Sequence, residues 1–146
     1  MACIQNNAIY TLRNCKGGTV LDLSGGDDRS IIGYHDHNGP NQAWIFEQRG
    51  HGEDHGWFIK SVGSGQFLGF EGELRDGVQV IATSSPAKWD VRDSDVPGVQ
   101  GIRILAHRTN FSVDLSDNGN PTEGTKVELW GSWEAANQIW ALVSRR

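Results

Sequence analysis

The chain has 146 residues, of which 21% are charged and 37% hydrophobic, and its formal net charge is −5 at pH 7. That length is one ordinary domain with mass enough for a core, and an acidic chain without clustered Lys or Arg lacks the footprint that nucleic acid or an anionic membrane requires. No apolar run of about 18 residues occurs, so no membrane insertion is expected.

The opening MACIQNNAIY is too polar and too short for a secretory leader, which predicts a cytoplasmic protein. Cys3 and Cys15 fit a reducing compartment and a fold that does not lean on disulfides, although their pairing stays open. Nineteen glycines and four prolines argue against long helices, and no window holds a sustained 3.6-residue apolar stripe. Short apolar or alternating runs recur instead, each closed by Gly, Asn, Asp or Ser, and these read as strands.

In chain order, the runs fall into three matching sets. AIYTLRN, TVLDLSGG, SIIGY and NQAWIFEQ come first. GWFIKSV, QFLGFEG, GVQVIA and AKWDVRD follow. GIRILAH, FSVDLSDNG, KVELW and NQIWALV close the chain. Trp44, Trp89 and Trp140 stand at equivalent places, 45 and 51 residues apart. Three repeats of four strands, over about 8–50, 51–95 and 96–146, predict twelve strands within a single domain spanning 1–146. Two hairpins cannot bury their own apolar face, but three such units around a pseudo-threefold axis can. The expected fold is all-β, a β-trefoil: a closed six-strand barrel capped by a triangle of hairpins, with no free sheet edge. The three tryptophans then belong to its core.

Polar positions recur as well. Asp22 lies 22 residues before Trp44, and Asp114 lies 26 before Trp140, whereas Tyr34 and Trp130 both lie 10 before their tryptophans. The four extra residues of the third repeat therefore fall between acid and aromatic, in the turn SDNGNPTEGT, where an insertion leaves strand register intact. In the middle repeat Gly69 stands for the Asp, Ile81 for the aromatic and Ala87-Lys88 for Asn-Gln. That repeat is expected to keep the fold and bind no sugar.

Gln42-Ala43-Trp44 and Gln138-Ile139-Trp140 resemble the Gln-x-Trp motif of ricin B-type lectins, with a degenerate third copy at Trp89. The resemblance covers about residues 8–144. TVLDLSGG, then IIGY, then NQ-x-W is most similar to the small single-domain lectins of mushrooms and other fungi. It implies a non-catalytic carbohydrate-binding protein for glycans ending in galactose or N-acetylgalactosamine. It assigns the first site to Asp22, Tyr34 and Asn41, and the third-repeat site to Asp114, Trp130 and Asn137.

The chemistry suits a pyranose. A carboxylate accepts from two neighbouring hydroxyls, an Asn amide accepts from one hydroxyl and donates to another, and an aromatic ring covers the C–H face of the sugar. Gln42 and Gln138 would brace the Asp from behind. Ser24, Gly25, His37 and Asn38 enrich the first site, the glycine by letting backbone approach the ligand, and make it the expected dominant one. Two residues before the aromatic, where plant relatives carry a polar residue, stand Ile32 and Glu128. Trp133 would either widen the third platform or block it.

Blander readings stand beside these. Asp22 and Asp114 could serve only as Asx turn caps, and Tyr34 and Trp130 could simply pack at strand ends. His35 and His37 in YHDH would point to opposite faces of a strand, with nothing nearby to complete a ligand set, so neither metal nor cofactor is expected. An enzyme is not expected either: Asp27 and Asp28 are adjacent on a turn rather than facing one bond, and neither Cys has a His partner in a matched motif. The rival function is protease inhibition through an exposed loop. Single shallow sites predict monosaccharide binding of roughly −4 to −6 kcal/mol. Two sites per chain, or a homodimer, would supply avidity, hence agglutination and, by analogy with the fungal lectins, defence through external glycans reached after release or ingestion.

Overall fold

Alternating apolar and polar residues, interrupted every few positions by Gly, Asn or Asp, give strands of two to seven residues. The computed structural model describes residues 3–145. In the first unit are β1 (Ala8–Asn14), β2 (Val20–Leu23), β3 (Ile31–Tyr34) and β4 (Trp44–Arg49). The second holds β5 (Gly56–Ser61), β6 (Phe67–Gly69), β7 (Val78–Gln79), β8 (Ile81–Thr83) and β9 (Trp89–Asp93). The third holds β10 (Ile102–Ala106), β11 (Phe111–Leu115), β12 (Thr125–Gly131) and β13 (Trp140–Arg145).

Thirteen strands thus stand among the described residues, not twelve. The run GVQVIA, expected as one strand, divides at Val80. The cause is a change of partner: β7 pairs with β12 of the third unit, whereas β8 pairs with β6 of its own. The Val80 N–H itself donates to the Val127 carbonyl at 3.0 Å.

The first and last strands of each unit close on themselves. β1 pairs with β4, β4 with β5, β5 with β9, β9 with β10, β10 with β13, and β13 with β1. This ring is the six-strand barrel. The inner strands form hairpins β2–β3, β6–β8 and β11–β12. Each hairpin also touches the other two, through Thr125 opposite Gly33, Glu128 opposite Gln79, and the Ser30–Ile81 bridge. A barrel closed by a triangle of hairpins is a β-trefoil.

Trp44, Trp89 and Trp140 are fully buried at its centre. A buried indole N–H needs an acceptor, and each finds the equivalent one: Leu21 O at 3.0 Å, Leu68 O at 3.1 Å and Val113 O at 3.0 Å. Leu12, Phe46, Ile59, Ile102 and Ile104 fill the space around them. Cys3 and Cys15 are both free thiols, and Cys15 Sγ donates to Gln100 O at 3.4 Å. Among the described residues no helix is long and apolar enough to cross a membrane.

Trp89 sits in the unit that lacks the polar set, so its contribution is to the fold. Trp89→Ala is expected to cost about 3–5 kcal/mol of stability. The cost should appear as a lower urea midpoint with an unchanged slope, and the part of the protein that remains folded should keep the ligand binding described below.

Candidate functional site

β2 reads Val20-Leu21-Asp22-Leu23 and every residue in it is buried. Asp22 is therefore a carboxylate set in an apolar strand, 3% exposed, and Asp114 in β11 is its counterpart at 4%. A buried carboxylate is tolerated only with donors aimed at it. Those donors come from the segment leading into the next barrel strand. Pro40–Gln42 and Ala136–Gln138 each form one 3-10 turn, which carries Asn and Gln back beneath the strand.

The geometry repeats between the two units. Gln42 Nε2 donates to Asp22 Oδ2 at 2.8 Å and Asn41 Nδ2 to Oδ1 at 3.2 Å. Gln138 Nε2 donates to Asp114 Oδ2 at 2.9 Å and Asn137 Nδ2 to Oδ1 at 3.1 Å. Gln42 Oε1 accepts from His37 N, and Gln138 Oε1 from Trp133 N, each at 3.1 Å. The bracing expected of both glutamines is present. Both aspartates take their bonds from Asn and Gln side chains, whereas the Asx cap sits at Asp27, which accepts from Arg29 N, Ser30 N and Ser30 Oγ.

One sequence-based expectation changes. Each Asn was expected to donate to a sugar hydroxyl, but both its amide hydrogens are engaged within the protein. Asn41 Nδ2 also donates to Leu23 O at 3.1 Å, and Asn137 Nδ2 to Leu115 O at 3.2 Å. Only Oδ1 is left for a ligand, and Asn137 Oδ1 is buried with no hydrogen-bond partner.

Around Asp22 lie three rings. Tyr34 and His35 have centroids 4.7 Å apart, His37 stands edge-on to Tyr34 at 6.2 Å, and His37 Nε2 is 3.8 Å from Asp22 Oδ2. Residues after Tyr34 leave the strand, so His35 and His37 do not point to opposite faces as the strand reading required. Their rings are 5.7 Å apart. Among the described residues no group of three or more His, Cys, Asp or Glu side chains is placed to hold a metal. The loop is tied down by Arg13 on Asp36 at 3.2 Å, by Arg145 on the carbonyls of Asn38 and Gly39, and by Glu123, which bonds the His35 ring. Asn38 is a turn residue with φ 58°, its N–H on Asp36 and its carbonyl on Arg145. Ser24 Oγ accepts from Gly26 N inside the β2–β3 turn. Gly25 has open space where a Cβ would lie. The glycine that close packing demands is Gly39, where a Cβ would come within 2.4 Å of the His37 ring and 2.7 Å of Asn41 Oδ1. No motif marks it in the sequence.

The third-repeat site is a cleft of about 410 Å³. Trp130 and Trp133, 40% and 52% exposed, both line it, with Asp114 and Asn137 below and Asp117, Asn118 and Glu128 at its rim. Trp133 thus lines the same cleft as Trp130. Ser116–Gly119 forms a tight turn with left-handed φ at Asp117 (53°) and Asn118 (54°), a conformation Asn and Asp tolerate best after Gly. That turn holds the inserted residues. Arg103, 3% exposed, was not legible as a site residue. Its five N–H groups go to Asp95, Ser112, Gln138 Oε1 and Trp133 O, so it fixes the amide that fixes Asp114.

In the middle repeat the strand register corrects two assignments. Gly69 is opposite Ile81 as Asp22 is opposite Ile32 and Asp114 opposite Glu128. Ile81 thus holds the Ile32 and Glu128 position, and the aromatic position belongs to Thr83. Counting back from Trp89, Asn and Gln are replaced by Pro86 and Ala87 rather than by Ala87 and Lys88.

Burial raises all three acids. Asp22 is held above the usual carboxylate range by desolvation, which hydrogen bonds from Gln42 and Asn41 and the nearby His37 and His35 partly reverse. Asp114 is pushed up to about 6, by burial and by Asp76, against the bonds from Gln138 and Asn137. Glu128 is pushed up to about 7, by burial first and then by Asp114 and Asp76. A carboxyl raised on folding stabilises the protein below its unfolded pKa of about 4.3 and loses that contribution as pH rises through the folded value. Glu128→Gln should therefore raise the urea midpoint above about pH 7 and give no gain near pH 4, as read from denaturation curves across that range.

A family model described as ricin-type beta-trefoil lectin domain-like matches residues 3–80 and 40–130. The Macrolepiota procera ricin B-like lectin, solved in complex with lactose, is 37% identical over 99% of this chain and 100% of its own, with a TM-score of 0.91. The Rhizoctonia solani agglutinin is 29% identical over 99% of this chain and 100% of its own, at 0.84. ThreeFoil, a designed threefold-symmetric protein, shares the fold at 23% identity over 94% of this chain and 99% of its own, at 0.80. A comparison with curated protein sequences gave no match.

Proposed function

The chain belongs to the ricin-type β-trefoil lectin family, and on that premise we propose that it binds glycans ending in galactose or N-acetylgalactosamine. It does so at two sites per chain and without catalysis. The observation that carries the reading is the duplicated brace: a buried carboxylate held by Gln and Asn beside an aromatic ring, in the first and third units only.

Each part has a task in this reading. The side-chain amides hold both oxygens of Asp22 and of Asp114 from within, so each oxygen keeps lone-pair capacity for a hydroxyl of the sugar. Two adjacent hydroxyls meeting one carboxylate fix the orientation of the ring at those carbons, which is how a galactose-type arrangement is distinguished from its epimers. Tyr34, and Trp130 with Trp133, cover the C–H face, where dispersion and burial of apolar area add affinity without directional demands. The lactose-bound Macrolepiota lectin supports the sugar class, since lactose ends in galactose.

Two shallow sites per chain act together on a surface dense in glycans. The second contact is then intramolecular, and avidity can exceed single-site affinity by about 10²–10⁴. Agglutination of glycan-bearing cells follows, and a defensive role against grazing animals is its biological reading.

Asp22→Ala and Asp114→Ala should each remove one site. Loss of charge-assisted hydrogen bonds worth about 1.5–3 kcal/mol lowers affinity at that site roughly ten- to hundredfold. Calorimetry with lactose should find two sites in the parent, one in each variant and none in the double variant, all with unchanged circular dichroism. Each single variant should lose agglutination. Unchanged glycan binding in folded variants would overturn the assignment, and inhibition of a protease that survives both substitutions would point to the loop-inhibitor alternative.

A further inference from the structure

The two sites share a brace but differ in the side chains that stand around it. Beside Asp22 stand Ile32, directly across the strand pair, and the rings of His35 and His37. Beside Asp114 stands Glu128, directly across the strand pair. Directly opposed residues of an antiparallel pair share a face, with Cβ atoms about 4.5–5.5 Å apart, and like charges there repel. Asp117 adds a third carboxylate to the same cleft.

Among the described residues no cation pairs with Asp114 or Glu128. The residues lining the cleft include no Lys, Arg or His. Arg103 lies behind the site, with every N–H already placed on Asp95, Ser112, Gln138 and the Trp133 carbonyl. The buried Asn137 Oδ1 is a further acceptor without a donor. Its own amide hydrogens are turned inward, to Asp114 and Leu115. The cleft therefore asks its ligand for donors and positive charge, and its walls are two exposed indoles, the best side chains for contact with a cation.

We propose that the third-repeat cleft prefers a positively charged sugar, a hexosamine with a free amino group, over its neutral counterparts. The inference rests on the reading of this cleft as a sugar site and names the class of sugar it takes. A hydroxyl offers one hydrogen, whereas an ammonium offers three and a full charge, enough to bridge Asp114, Glu128 and Asn137 Oδ1 together. The ring still lies against Trp130 or Trp133. The first site, with imidazoles beside its Asp, keeps the preference for neutral sugars. One chain then reads two chemistries, an intact glycan end at one corner and a de-N-acetylated one at another.

The test uses the full chain carrying Asp22→Ala, so that only the third-repeat cleft remains. Galactosamine, galactose, N-acetylgalactosamine and ethanolamine are titrated at about pH 7, where an amino group of this type is largely protonated. The indole N–H signals of Trp130 and Trp133 report binding by NMR. Galactosamine should bind at least about tenfold tighter than galactose and N-acetylgalactosamine. Adding Glu128→Gln should erase that advantage. Galactose or N-acetylgalactosamine binding as tightly as galactosamine overturns the proposal and leaves the sugar-site reading standing. Ethanolamine matching galactosamine also overturns it, since the cleft is then a cation trap that ignores the ring. If no sugar moves either indole signal, the reading of this cleft as a sugar site fails and the proposal falls with it. The comparison among ligands needs no second substitution, so it holds even if the Glu128 variant folds poorly.

Discussion

One hydrogen bond organises the molecule three times over: an indole N–H on the carbonyl of the residue just before the position where the acid stands. Trp44 holds Leu21 O, Trp140 holds Val113 O, and Trp89 holds Leu68 O. The next residues are Asp22, Asp114 and Gly69. Two places before the indole, Gln42 and Gln138 reach the side chain of that next residue. Gln and Trp therefore grip adjacent residues of one strand, the first by its side chain and the second by its backbone. This is why the motif has a spacing at all. The tryptophan belongs to the barrel core and the glutamine to the surface site, and a single connecting residue fixes one relative to the other.

The middle unit shows what remains when only half of that grip is kept. Trp89 is still fully buried and still bonded, so the hairpin is held. Gly69 has nothing for a glutamine to brace, and Ala87 stands where the glutamine would be. Space has closed in as well: a Cβ on Gly69 would come within 2.6 Å of Thr83 Cγ2. The connection from Thr83 to Trp89 is also four residues shorter than that from Tyr34 to Trp44, which removes the segment that carries His37 in one unit and Trp133 in another. Restoring the acid alone would place a carboxylate against a methyl group, with no donors to offset its burial.

The barrel, the hairpin triangle and the paired Asp, aromatic and amide positions were legible because each rests on recurrence, and recurrence survives in residue identities. What stayed hidden depends on partners distant in the chain. The break at Val80 follows from a carbonyl on Val127. Arg103 reads as an ordinary charged residue in GIRILAH until its guanidinium is seen beneath Gln138. Gly39 is one glycine among nineteen, and only the His37 ring beside it gives it a reason. In the middle repeat the aromatic position lies two residues beyond where the spacing of the first repeat predicts it, because the hairpin there is longer and the following loop shorter.

The same dependence explains how two sites with identical braces can differ in chemistry. The brace is set by residues close in sequence, Asn41-Gln42 and Asn137-Gln138, and duplication carries it along intact. The character of each pocket is set across the strand pair and by the loop. At those places Ile32 faces Glu128 in the alignment, and His37 faces Trp133. Substitutions there leave the carboxylate held and the tryptophans packed, because Gln42 and Gln138 bond the backbone N–H of His37 and Trp133, which any side chain there would keep. Glu128 carries the electrostatic cost of standing opposite Asp114, and that cost is confined to the rim of one cleft, away from the core indoles. A fold that separates its core from its rim by one residue on a strand can keep the first constant while the second diverges.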